Sequence, residues 1–119
     1  MKRRSVLGLA AAAASPSLVA AETAPKRCFV LTHAPGPAWD HAKGFRDQPG
    51  LEHHLGYMQG FFDQGKIVLG GPFLDNSGGM MIFDLATLDE AQAIAAADPT
   101  VKSGLLTVTV KPWLAAFAR

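Results

Sequence analysis

Lys66-Ile67-Val68-Leu69-Gly70, then Gly71-Pro72-Phe73-Leu74-Asp75-Asn76-Ser77-Gly78-Gly79, then Met80-Met81-Ile82-Phe83-Asp84 is the stretch that decides the fold. Two β-prone runs flank a segment of glycine, proline and short polar residues, the composition of a connection between antiparallel strands. Working upstream, Trp39 to Gln64 suits helix in two parts, because Gln48-Pro49-Gly50 interrupts it and Leu51 opens the main piece. Gly65 then ends that helix. Before it, Cys28-Phe29-Val30-Leu31-Thr32 reads as a strand and His33-Ala34-Pro35-Gly36-Pro37 as a loop. Downstream, Thr87-Leu88-Asp89-Glu90 has the form of a capping box, opening a helix that runs through Ala97 until Asp98-Pro99 stops it. Leu105 to Lys111 alternates, with Leu106, Val108 and Val110 on one face, Thr107 and Thr109 on the other, and Pro112 closing the strand. The order is therefore β-α-β-β-α-β, which describes an α+β ferredoxin-like sandwich: an antiparallel sheet with both helices on one side. Thr107, Thr109 and one of Met80 and Met81 would leave the open face only partly polar, so a face-to-face homodimer is its expected cover.

The chain has 119 residues, 49% of them hydrophobic and 18% charged. That is room for one domain, which excludes a multidomain enzyme with separate cofactor and substrate modules. There is no Lys/Arg-rich patch interleaved with aromatics, so nucleic acid is not an expected partner. The formal net charge of +1 depends on the N-terminus, where Lys2, Arg3 and Arg4 supply three of the 11 basic residues and no acid precedes Glu22. This basic start, the mildly apolar run Val6 to Ala14, the break at Ser15-Pro16-Ser17 and the small residues of Val19-Ala20-Ala21 form the pattern of an export signal over residues 1–21. A cut after Ala20 is the near alternative. The apolar run is too short and too alanine-rich to span a membrane. Arg3, Arg4 and Leu7 resemble a twin-arginine signal without its usual Ser or Thr before the pair and Phe after it, so the general secretory route stays open. Cutting after Ala21 leaves residues 22–119 as a 98-residue domain at a formal charge of −2. That domain is expected to be periplasmic or secreted, with no membrane span. Its one cysteine, Cys28, has no disulfide or CxxC partner and reads as a buried strand thiol.

Four histidines invite a metal reading, but the spacing does not supply one. His53 and His54 are adjacent, about 100° apart on a helix, and His33 and His41 lie in or near loops. No metal and no cofactor is expected. On the helical wheel Leu51, Leu55, Met58 and Phe62 fall within about 60° and form the expected buried stripe, with Phe61 at its flank. His54 falls between Met58 and Phe61 and leans inward, whereas His53 lies on the far side. Such a histidine is either a core residue satisfied by a backbone carbonyl or a group placed for a cleft. Asp98 sits at the C-terminal end of its helix, where the dipole disfavours a carboxylate by about 0.3–1 kcal/mol, so it calls for a cationic partner. Pro99 holds it extended. The alternative is an aspartate accepting local N–H bonds in a turn. With both helices on one sheet face, an Asp at the end of one could reach a His of the other. Phe73, Trp39 and Trp113 could wall a pocket but are as readily core or interface residues, and Gly70-Gly71 could present N–H groups to an oxyanion or simply permit a tight turn.

His54-Leu55, the Gly65-Lys66-Ile67-Val68-Leu69-Gly70-Gly71-Pro72 stretch, Asp98-Pro99, Gly104 and Lys111-Pro112-Trp113 together resemble, in order and spacing, the YCII-related family. The resemblance runs from about Cys28 to Trp113. It implies a ferredoxin-like fold that pairs into a dimeric α/β barrel and a His and an Asp as the proposed active site, which fall on His54 and Asp98. One characterised branch of the family removes chloride from a chlorinated hydroxyquinol. The export signal is a departure, since familiar members are cytoplasmic. A His/Asp pair suits proton transfer on a small molecule, with His54 as general acid or base and Asp98 holding its tautomer, as in a lyase or isomerase. The other class is a non-enzymatic ligand-binding or structural dimer in which the two merely close a buried polar pair.

Overall fold

The computed structural model describes residues 26–119, so the expected export signal at residues 1–21 lies outside the described residues. Arg27–Trp113 form one compact unit. The elements run β1 (Lys26–Pro35), a short 3-10 turn (Phe45–Asp47), α1 (Leu51–Asp63), β2 (Ile67–Pro72), β3 (Gly79–Phe83), α2 (Leu88–Ala97), α3 (Pro99–Lys102) and β4 (Leu106–Ala115). One sheet has the order β2-β3-β1-β4, and β3 pairs antiparallel with both β1 and β2. This is the ferredoxin-like arrangement, in which each helical crossover steps over one strand.

The alternation of side chains along the strands decides what each face carries. Phe29 and Leu31 of β1 stand opposite Phe83 and Met81 of β3 and meet Met58, Ala91 and Ile94 from the helices, forming the main core. Leu31 and Phe83 have no solvent exposure. Val30 opposite Ile82, and Thr32 opposite Met80, take the other face of the sheet. Thr107 and Thr109 of β4 are exposed, while Leu106 is buried and Val108 and Val110 are half-buried against the core, as the alternation predicts.

Three strands run further than the sequence suggests. β1 continues through His33, which pairs with Gly79, to Pro35. Pro72 lies at the end of β2 and Pro112 within β4; both are edge strands, where a missing N–H can face away from the sheet. The capping box forms in outline: Thr87 Oγ1 accepts the Glu90 N–H at 3.2 Å, and the Glu90 carboxylate accepts from Ala86 N at 3.4 Å rather than from Thr87. Gly65 ends α1 with φ of 78°, a left-handed position that a side chain would oppose.

Trp39 to Gln48 is not a helix. The buried Gln48 side chain instead organises this loop, accepting the Asp40 N–H at 3.0 Å and donating to the carbonyls of Asp40 at 2.7 Å and Lys43 at 3.0 Å. One side chain thus meets backbone groups that helical bonds would otherwise satisfy. The loop is tied to the chain before β4 by Gly36 N–H to Leu105 O and Ala38 N–H to Gly104 O, both 2.9 Å. A Cβ on Gly36 would run into the Gly104 carbonyl, so that close approach needs glycine. Trp39 then packs with Leu51, Leu105 and Leu106 in a second apolar cluster.

Candidate active site

His54 lies in the first turns of α1, on the buried side with Leu51 and Met58. The other half of the expected stripe is displaced: Leu55 and Phe62 are each 55% exposed and line the mouth of a cavity rather than the core. Helix α1 therefore gives one flank to the sheet and a neighbouring apolar flank to open space. His53 is exposed beside Glu52, as its wheel position requires.

Asp98 closes α2 and at the same time caps α3, with φ −60° and ψ 123° before Pro99. Pro99 forbids α2 to continue and opens the next helix. Asp98 is consequently at an N-cap as well as at the C-terminal end of α2, and its carboxylate is favoured by the N–H groups it meets. Both expected uses of the side chain are present, one on each oxygen. Oδ1 accepts the Thr100 N–H at 2.9 Å and the Thr100 hydroxyl at 2.6 Å. Oδ2 accepts from His54 Nδ1 at 2.6 Å. Asp98 is wholly buried and His54 nearly so, at 7% exposure. With Nδ1 committed to the carboxylate, Nε2 is the nitrogen His54 can offer to the cavity it lines.

A third group joins them that the sequence reading set aside. His33, expected in a loop, is on β1 in phase with Phe29 and Leu31 and so faces the helices, at 3% exposure. Its Nε2 stands 3.6 Å from Asp98 Oδ2, just past hydrogen-bond reach, and has no hydrogen-bond partner among the described residues. The His33 and His54 rings meet edge to face, with centroids 4.7 Å apart at 65°. The signal for His33 was present in the sequence as the alternation Phe29, Leu31, His33; the two prolines that follow hid it.

Burial alone would push the Asp98 carboxyl up, but the facing imidazoles of His33 and His54 and the two bonds from Thr100 outweigh it and hold the group well below the usual carboxylate range. The same buried charge acts on Tyr57, whose hydroxyl is raised by burial first and by Asp98 second, and which donates to the Ile94 carbonyl at 2.8 Å. The donor atoms of His33, His54 and Asp98 lie within 4.8 Å of one another, a set of types that metals accept. At 2.6 Å, however, His54 Nδ1 and Asp98 Oδ2 are nearer than the roughly 3.3 Å that two ligands about 2.0–2.1 Å from a tetrahedral ion would keep. The contact is that of two atoms sharing a proton.

The cavity between α1 and the sheet measures about 650 Å³. Its walls are mostly apolar: Trp39, Met58 and Leu69 among others, with His33, His54 and Gln59 as the polar side chains and, among the described residues, no Lys, Arg, Asp or Glu. Trp39 thus joins the pocket, whereas Phe73 and Trp113 do not line it. Gly70 and Gly71 line it as part of β2.

A ferredoxin-like α+β domain with a buried His/Asp contact beside an apolar cavity is the class of protein these features define. Residues 29–114 match the YCII-related domain, and the chain belongs to that family. It is 36% identical over 66 residues to YjpA of Bacillus subtilis (strain 168), an uncharacterised protein, the match covering 52% of this chain and 76% of that one. Its fold is similar to that of TftG, the 5-chloro-2-hydroxyhydroquinone dehydrochlorinase of Burkholderia phenoliruptrix AC1100, solved in complex with 2,5-dihydroxybenzoquinone. That likeness has a TM-score of 0.55 and 24% sequence identity, and covers 72% of this chain and 92% of the other.

Proposed function

We propose that this protein is a small-molecule enzyme of lyase or isomerase type, in which His54 is the general acid or base and Asp98 orients it. The observation that carries this is the 2.6 Å bond from His54 Nδ1 to the buried Asp98 carboxylate, with His54 on the wall of the cavity. A carboxylate that accepts Nδ1–H selects one tautomer and stabilises the imidazolium formed when Nε2 takes a proton. The nearly uncharged lining favours a neutral, largely apolar substrate presenting one acidic C–H or O–H to Nε2, since among the described residues no Lys or Arg lines the cavity to recognise a carboxylate or phosphate. A lyase step would withdraw that proton as the bond to a leaving group breaks. An isomerase step would return it at a neighbouring atom.

TftG acts, by its name, on a chlorinated hydroxyhydroquinone. That compound is a reasonable first substrate, with chloride release as the readout. His54→Gln, which keeps bulk and polarity but cannot accept and return the proton, should lower turnover by about 10²–10⁴-fold. Unchanged turnover would overturn the assignment. The double use of Asp98 as a helix cap favours one competing reading, a purely structural polar pair. In that case His54→Gln would weaken folding without any turnover being found across a panel of hydroxylated aromatic compounds.

The working form we propose is an exported homodimer. Lys2-Arg3-Arg4 and Val19-Ala20-Ala21 support export, and the partly apolar open face of the sheet supports pairing.

A further inference from the structure

The geometry points to His33 as a positioning residue: its buried Nε2 shares Asp98 Oδ2 with His54, so that two imidazoles and one carboxylate hold their protons as a coupled unit and His33 keeps His54 in its neutral, proton-accepting form.

The orphaned nitrogen is the starting point. His33 Nε2 has no hydrogen-bond partner among the described residues, and Asp98 Oδ2 stands 3.6 Å away. A lone pair on Nε2 would face the lone pairs of a carboxylate oxygen, so the favoured states are those that place a proton there, either the Nε2–H tautomer or the imidazolium. In both, His33 directs positive charge at the oxygen that already accepts from His54.

The charge balance follows. One buried carboxylate compensates one buried imidazolium, and a second cation with its ring centroid 4.7 Å from the first would lack a counter-charge. Among the described residues the groups facing this cluster are few. β1 contributes His33, α1 contributes His54 and Tyr57, and the junction of α2 and α3 contributes Asp98 with the Thr100 hydroxyl. Tyr57 gives its proton to the Ile94 carbonyl, and β3 places Gly79 opposite His33. His33 is thus the group placed to weaken the hold of Asp98 on a proton at His54. His33 and His54 compete for one carboxylate oxygen, and His54 Nε2 is left free to accept.

The inference deepens the acid–base reading and rests on it for its effect on turnover, but its test needs no substrate. Imidazole nitrogen and carbon shifts of the full chain, followed by NMR from acid to alkaline pH, report each histidine separately. In wild type the His33 and His54 curves should each bend at the other's midpoint, as coupled groups do. His33→Leu should raise the His54 midpoint by about one pH unit, a tenfold gain in proton affinity. His33→Gln, which keeps a donor but not the charge, should raise it less. Independent single-proton curves in wild type overturn the proposal, as does an unchanged His54 midpoint in a folded His33→Leu protein. Asp98→Asn keeps the two claims apart. A His54 midpoint that moves with Asp98→Asn but not with His33→Leu removes the His33 role and leaves the pair standing. One that moves with neither removes both, and one that moves only with His33→Leu removes the shared carboxylate. Should His33→Leu fail to fold, the wild-type curves and His33→Gln decide alone.

Discussion

Asp98 does two jobs with two oxygens. Oδ1 secures the turn into α3 through Thr100, and Oδ2 secures His54. Removing it would uncap α3 and leave two buried imidazoles beside an empty position. Asp98→Ala should therefore cost about 3–5 kcal/mol, read from the shift in the urea midpoint at constant slope. Its pH dependence has a defined sign. The folded-state carboxyl lies below its unfolded value, so as the pH falls the unfolded chain binds the proton first. The Asp98 contribution is complete above the unfolded value near pH ~3.9 and declines below it, toward the lower folded value. The difference in urea midpoint between wild type and Asp98→Asn should accordingly narrow as the pH falls below about 4. Widening below about pH 4 would contradict the placement of the charge.

The strand β1 supplies the core and the site from one phase of its alternation. Phe29 and Leu31 carry the packing, and His33, two residues on, carries the site. Leu31 is fully buried between sheet and helices, so Leu31→Ala should destabilise by about 2–5 kcal/mol, measured by thermal or urea unfolding. Because the same strand sets the position of His33, the variant should also disturb the His33 ring resonances. At this scale the sequence was legible in kind and less so in extent. The capping box at Thr87, the stop at Asp98-Pro99 and the glycine at Gly65 mark chain geometry through local bonds and appear where expected. Strand ends did not, because His33 is held in β1 by pairing with Gly79 of β3, a contact that no local pattern contains.

For the whole molecule the open face of the sheet is the feature that matters. Val30, Thr32 and Met80, all half-buried, and the buried Ile82 lie across it, with the exposed Thr107 and Thr109. A surface of this mixture suits a second copy. On the proposal of export and pairing, native mass spectrometry of the protein expressed from its full sequence should give a dimer of chains beginning at Glu22. Thr32→Arg, which sets a cation in the middle of that face, should give monomers. A monomeric wild type, or chains that keep Met1, would count against pairing or export respectively. Among the described residues no helix is long and apolar enough to cross a membrane.

What the amino-acid sequence determined by itself is the element order and hence the fold, because turns, caps and alternation are short-range and each can be read from a few neighbours. It also singled out His54 and Asp98, the first from its place on a helix face and the second from its place at a helix end. Tertiary structure alone decided that they touch, since 44 positions separate them. It brought His33 into their company, turned Leu55 and Phe62 out to a cavity mouth, and replaced an expected helix at Trp39–Gln48 with a loop bound by one glutamine. Each of these depends on which surfaces meet across the sheet, and that is settled only when the whole chain packs.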